Sequence, residues 1–179
     1  MEFIRCIVYL AVIGIIGFIV GRLLPKSLFF ENAFPFTEFK FEKNGKFYEQ
    51  FKIRLWKDKI MDMSKIFPKI MPVKQLREDI AVYHTLTEKI TVLVKETCIA
   101  EFIHTMLAIV GFGCMKIWEG LGGTIVAILY AVGNIPFIMV QRYNRPRLIS
   151  ILNKKRKKPD FAQTPGNSIY ENANVDVKI

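Results

Sequence analysis

The residues from Leu121 to Gln141 contain no charged side chain. A run of that kind has the roughly 17 to 25 residues an α-helix needs to cross the hydrocarbon of a bilayer. Two more apolar stretches precede it. The first runs from about Phe3 to Leu24, uninterrupted from Cys6 to Gly21 with Arg5 and Arg22 at its ends, and the second from about Ile99 to Trp118. With 51% hydrophobic residues in a chain of 179, the expected fold class is an all-α membrane protein with about three transmembrane helices plus an interfacial amphipathic segment. A cleavable signal peptide is the rival reading of the first stretch. No small-x-small site follows it, since it ends in Gly21-Arg22-Leu23-Leu24-Pro25-Lys26, so a retained anchor is expected.

The charge pattern agrees with a lipid setting. The net charge is +10, yet the charges avoid the apolar stretches and collect beside them, which points to a lipid surface as partner and not to nucleic acid. Cys6, Cys98 and Cys114 show no paired spacing, so neither a disulfide framework nor a zinc site is implied.

Only a short link, around Glu119 to Gly123, separates the last two spans, so they must form an antiparallel hairpin. The start of the second span and the end of the third therefore share one membrane face. That face carries Arg142, Arg145, Arg147 and then Lys154, Lys155, Arg156, Lys157 and Lys158. By the positive-inside rule the C-terminus is expected in the cytoplasm and the N-terminus outside. The expected organisation is an N-terminal anchor over 1–24, an interfacial or cytoplasmic segment over 25–98, a helical hairpin over 99–141, a basic site-lining segment over 142–152, and a polybasic, flexible tail over 153–179. The protein is expected in the cell membrane as a multi-pass chain.

Between the first two spans, Phe34, Phe36, Phe39 and Phe41 alternate in part ahead of Asn44-Gly45, which suggests a short strand entering a turn. Phe47, Phe51 and Leu55 recur every four positions, so a helix with one aromatic face is expected from Phe47 to Trp56. That face suits either the headgroup region or a soluble core, and the flanking spans favour the first. Pro68 and Pro72 then break the chain. A second helical pattern, from about Leu76 to Thr97, leads toward the next span.

Glu101 and His104 are three positions apart, share a helix face, and lie at the start of an apolar span. Ionisable residues there are costly and turn toward a bundle interior or a cavity. They serve either as a tie between helices or as a site. Across the hairpin stand Asn134 and the string Gln141-Arg142-Tyr143-Asn144-Arg145-Pro146-Arg147, so one shared cavity is expected. Metal chemistry is weakly supported: Glu-x-x-His occurs once and the only other histidine is His84. No P-loop, dinucleotide fingerprint or nucleophile elbow is present.

Several segments resemble one known family. They are Phe41-Glu42-Lys43-Asn44-Gly45-Lys46-Phe47-Tyr48, Arg54-Leu55-Trp56-Lys57-Asp58-Lys59, Glu96-Thr97 with Ala100 to His104, and Asn134-Ile135-Pro136 through Gln141 to Leu148. In order and spacing the chain from about Phe39 to Leu152 is similar to the glycosyl-4,4'-diaponeurosporenoate acyltransferases, small membrane proteins associated with staphyloxanthin-type carotenoid synthesis. The first span and the tail match poorly. The resemblance implies transfer of a fatty acyl group onto a sugar hydroxyl of a glycosylated apolar lipid. For that chemistry His104 is expected as general base and Glu101 as the group that orients it. Asn134 or Asn144 would donate to the oxyanion, and Arg142, Arg145 and Arg147 would hold the phosphates of an acyl-CoA or acyl-carrier donor. Gln141, Trp56, Lys57 and Asp58 complete the expected substrate-binding set, with no metal and no cofactor. A non-enzymatic lipid-binding or assembly protein and a lipid hydrolase are the competing readings.

Overall fold

The computed structural model describes residues 1–59 and 86–157. The expected break at Pro68 and Pro72, the expected helix start at Leu76, His84, and the tail from Lys158 lie outside the described residues. Helix α1 spans Glu2–Leu23. After it come two single-turn helices, α2 at Lys46–Glu49 and α3 at Ile53–Trp56. Helix α4 covers Leu86–Val110 and continues through a 3-10 turn, Gly111–Gly113, into the short α5, Cys114–Ile117. Helix α6 runs unbroken over Leu121–Lys157. Among the described residues no strand occurs, and three segments are long and apolar enough to cross a membrane: Glu2–Leu23, Leu86–Ile117 and Leu121–Arg156.

The hairpin expected from the short link is present, and the link is shorter than expected, reduced to Trp118, Glu119 and Gly120. Both helices also extend beyond the expected span limits. Helix α4 carries the pattern before Ile99 straight into the membrane segment, and α6 passes through Pro136 and Pro146 without ending. Past the spans the two helices stay zipped together by Ile90, Leu93 and Val94 against Leu148 and Leu152. This buried apolar seam keeps α6 helical through residues that were expected to form a separate segment.

Helix α1 packs antiparallel to α4. Cys6 and Cys114 are buried together with Ala127 near the hairpin tip, the Tyr9 hydroxyl donates to the Val110 carbonyl at 2.8 Å, and a Cβ on Gly17 would stand 3.0 Å from Leu107. One turn on, a Cβ on Gly21 would meet Ile103 at 3.3 Å. Gly17 and Gly21 thus form a small-residue seam that lets two apolar helices approach closely, as membrane helices do. The rest of α1, from Ile4 through Ile7, Val8 and Val12 to Ile19, is exposed and apolar, a surface that hydrocarbon would cover.

The segment after α1 is a collar wrapped over the hairpin end opposite the Trp118 link. Phe29 and Phe36 bury against Cys98 and Ile99 of α4, while Tyr48 and Ile53 bury against Val140 and Tyr143 of α6. The strand expected at Phe34 to Phe41 is absent and turns take its place. Arginine side chains from α6 take the carbonyls of Pro35, Phe36 and Thr37, so these backbone groups are satisfied without a ladder. The single helix expected from Phe47 to Trp56 is broken at Lys52, whose φ is +52°. Its buried residues are Tyr48 and Ile53, and Phe51 and Leu55 remain 51% and 68% exposed. The aromatic face survives as a row of touching rings, with centroids 5.6 Å apart for Phe39 and Phe41, 5.2 Å for Phe41 and Phe47, and 5.5 Å for Phe47 and Phe51. Gly45, at φ +79°, is required at the turn: a Cβ there would lie 3.2 Å from the Tyr143 carbonyl oxygen.

Candidate functional site

Depth follows from helix length. Arg142 is 21 residues beyond Leu121, roughly 31 Å along α6 at about 1.5 Å per residue, which is close to the full hydrocarbon thickness of about 30 Å. Asn134 lies eight residues earlier, roughly 12 Å deeper. The expected site residues fall into two groups at these two levels.

The outer group is a closed ionic cluster. The Arg142 guanidinium donates through Nε to Glu42 Oε1 at 2.6 Å and through its second terminal nitrogen to Glu42 Oε2 at 3.1 Å. It also reaches Glu101 and the Pro35 and Thr37 carbonyls, both at 3.1 Å. Arg145 pairs with the other oxygen of Glu101, and donates to Thr97 Oγ1 at 2.9 Å and the Phe36 carbonyl at 2.6 Å. Glu42, Glu101, Arg142 and Arg145 are all buried. Two carboxylates thus neutralise two guanidiniums; all the N–H groups of Arg142 and all but one of those of Arg145 meet acceptors on the two carboxylates, the Thr97 hydroxyl or backbone carbonyls, the kind of satisfaction that buried charge demands.

Glu42 shows the balance. Burial alone would raise its pKa, but hydrogen bonds from Arg142, Tyr48 and the Phe39 amide outweigh that and hold the carboxyl below its usual value. Burial and the same carboxylate push the Tyr48 phenol above its usual range.

The deeper group is smaller. His104 Nδ1 meets Asn134 Oδ1 at 2.9 Å, and Asn134 Nδ2 donates to the Tyr130 carbonyl at 2.9 Å. Because a carbonyl can only accept, this second bond fixes which amide atom faces the imidazole. Nδ1 must then carry the proton, leaving Nε2 with its lone pair free. The ring stacks on Phe137 at 4.4 Å with planes 12° apart. Among the described residues Nε2 has no hydrogen-bond partner.

The Glu101 carboxylate faces Arg142 and Arg145, and His104 is held by Asn134 and not by Glu101. Asn144 is buried with Nδ2 unpartnered; it sits ten residues from Asn134 on α6, roughly 15 Å along the axis. Among the described residues no hydrogen bond or ion pair joins the His104 and Asn134 side chains to the ionic cluster. A shallow cleft of about 360 Å³ lies farther out, lined by Asn44, Pro146, Ile149, Ser150, Asn153 and Lys154.

The remaining expected residues stand on the collar and the α6 surface. Arg147 lies over the Tyr143 ring at 3.4 Å, and Lys57 is 5.9 Å from the same ring. Trp56 packs on the Tyr48, Ile53, Val140 and Tyr143 cluster, and its Nε1 donates to the Phe51 carbonyl at 2.8 Å. Gln141 is half-buried. Asp58 belongs to the 3-10 turn Lys57–Lys59, and its side chain is outside what the structure describes. Among the described residues no trio of His, Cys, Asp or Glu is grouped to hold a metal. Sequence reasoning gave no role to Glu42, Thr97 or Phe137. Glu42 is 100 residues from its partner Arg142, and no local pattern joins them; both lie inside the strings that carried the family resemblance.

The sequence profile of the glycosyl-4,4'-diaponeurosporenoate acyltransferase family matches residues 32–154, which takes in most of the collar and of both hairpin helices and every residue of the two groups. A protein of that name from Staphylococcus aureus strain Newman is 34% identical over 146 residues, covering 78% of this chain and 81% of the relative. Proteins of the same name from strains N315 and MRSA252 are 34% and 35% identical, each covering 74% of this chain and 77% of the relative. No solved structure matches the chain. The match spans the whole region that builds the ionic cluster and the His104 pair, and the chain belongs to the glycosyl-4,4'-diaponeurosporenoate acyltransferase family.

Proposed function

We propose that this acyltransferase moves a fatty acyl group from an activated thioester onto a sugar hydroxyl of a glycosylated apolar lipid, with His104 as general base. The relatives' names supply acyl transfer and a glycosylated diaponeurosporenoate. The observation that carries the residue assignment is the 2.9 Å contact between His104 Nδ1 and Asn134 Oδ1, with Nε2 unpartnered. That arrangement supports Asn134 as the positioning residue for the base.

In the reaction, Nε2 removes the proton from the sugar hydroxyl as its oxygen attacks the thioester carbonyl. Collapse of the tetrahedral intermediate breaks the carbon–sulfur bond, and the imidazolium returns the proton to the leaving thiolate. The cost of an imidazole at membrane depth favours a role in chemistry, and the surrounding hydrocarbon keeps water from competing for the acyl group. The burial and ion pairing of Arg142 and Arg145 support a different role for them: with Glu42 and Glu101 they fasten the collar to the hairpin.

The test is an assay of purified protein in nanodiscs with palmitoyl-CoA, with and without a glycosylated carotenoid. Acyl transfer that needs the acceptor supports the reading. Release of free fatty acid at the same rate without acceptor would make the protein a hydrolase, and no turnover in either arm would favour a binding subunit.

A further inference from the structure

Three cations converge on one side chain at the collar surface. The Tyr143 ring, itself buried, has Arg147 above it at 3.4 Å and Lys57 at 5.9 Å, and its hydroxyl accepts a hydrogen bond from Arg54 Nε at 2.9 Å. One carboxylate, Glu49, bridges Arg54 at 2.6 Å and Arg147 at 2.8 Å. Among the described residues Lys57 has no ion pair or hydrogen bond, and both arginines keep terminal N–H groups without a protein partner. Among the described side chains, three positive groups surround a single negative one, and they repel each other unless an anion joins them. By contrast every N–H group of Arg142 meets a protein acceptor, and Arg145 is buried with its charge already paired to Glu101.

We infer that Arg54, Lys57 and Arg147 form the phosphate-binding subsite for the acyl donor, a coenzyme A thioester. This rests on the acyl-transfer reading above. Guanidinium pairs bind phosphate in bidentate fashion and an ammonium adds a point charge. The three groups crowd one ring, which suits the compact phosphates of a nucleotide better than the spread acidic surface of a carrier protein. Tyr143 is nine residues from Asn134 on α6, roughly 14 Å along the axis, so a flexible pantetheine arm directed inward would bring its thioester toward His104. The same phosphate chemistry occurs in lipid headgroups, and the test must separate the two sources.

The experiment measures equilibrium binding of palmitoyl-CoA and of palmitoyl-pantetheine, which lacks the phosphates, to the full chain in phosphatidylcholine nanodiscs. Palmitoyl-CoA should bind at least about tenfold tighter than palmitoyl-pantetheine. Lys57→Gln, which removes no hydrogen bond among the described residues, should keep the melting temperature and reduce that preference, and Arg54→Gln/Lys57→Gln/Arg147→Gln should erase it. Lys155→Gln/Arg156→Gln, exposed and outside the cluster, should leave it unchanged. The subsite is overturned if the two ligands bind alike, if the control variant loses as much as the cluster variants, if phosphatidylglycerol in the disc abolishes the preference, or if an acylated carrier protein outcompetes palmitoyl-CoA. His104→Gln should still bind palmitoyl-CoA with the preference intact, so failure of the subsite and failure of the catalytic assignment give different results.

Discussion

His104 and Glu101 sit one helical turn apart on α4, yet their surroundings differ: an amide and an aromatic ring for the first, two guanidiniums for the second. Glu101 is locked between two buried guanidiniums, so Glu101→Gln leaves Arg142 and Arg145 with a single buried carboxylate, Glu42. Removing one partner of such a cluster costs about 3–5 kcal/mol, and activity should fall in proportion to the folded fraction, as thermal unfolding would check. Asn134→Ala should do the reverse. The imidazole loses its Nδ1 partner and its orientation, so kcat should drop on the order of 10²-fold while the melting temperature moves little. Equal losses of stability in the two variants would contradict this division. The pairing of Glu101 with His104 was a natural expectation from three-residue spacing. It failed because that spacing says which residues share a face of their own helix, and not which partners the neighbouring helix and collar present. Asn134, by contrast, was legible as a polar residue at depth, and the hairpin register brings it against the His104 imidazole.

At the scale of elements, the hairpin was readable from apolar length and a short link alone, because both are local properties of the chain. The collar was not. Its turns are held by side chains a hundred residues away, with Arg142 reaching Glu42, Pro35 and Thr37, and such long-range satisfaction leaves no periodic trace. The aromatic repeat at Phe47, Phe51 and Leu55 suggested a helix for a sound reason, yet Lys52 breaks it and the rings stay outside. The collar's attachment should depend on pH in a defined direction. Glu42 has its pKa lowered from 4.5 in the folded state, so its contribution is fully present above the ordinary carboxylate range and is lost as pH falls through the lowered value. In a Trp118→Phe background, Trp56 fluorescence should stay constant from neutral pH to about 4.5 and change only in stronger acid. An onset near pH 6 would contradict this account of what holds the collar.

Across the whole molecule, α1 runs from the hairpin tip, where Cys6 meets Cys114, to the collar face, where Gly21 meets Ile103. The two ends of the described chain therefore lie on opposite faces of the bundle. The basic residues Arg142 through Arg156 lie on the collar side, so by the positive-inside rule that face is proposed to be cytoplasmic. A single cysteine introduced at Lys155 should resist a membrane-impermeant thiol reagent applied to intact cells, and ready labelling would reverse the topology. Such an orientation would also give the Arg54, Lys57 and Arg147 cluster access to a cytosolic donor and would set the aromatic row of the collar in the headgroup layer. On the proposed reading the fold divides a lipid reaction between two phases, with charge handled at the rim and proton transfer at depth. The most direct test of that division is lipid mass spectrometry on cells supplied with the glycosylated acceptor and producing equal amounts of membrane-inserted wild-type or His104→Gln protein. The account predicts a glycolipid heavier by one fatty acyl group in the wild type and a loss of about 10²-fold or more of that species in the variant; undiminished product from His104→Gln would contradict it.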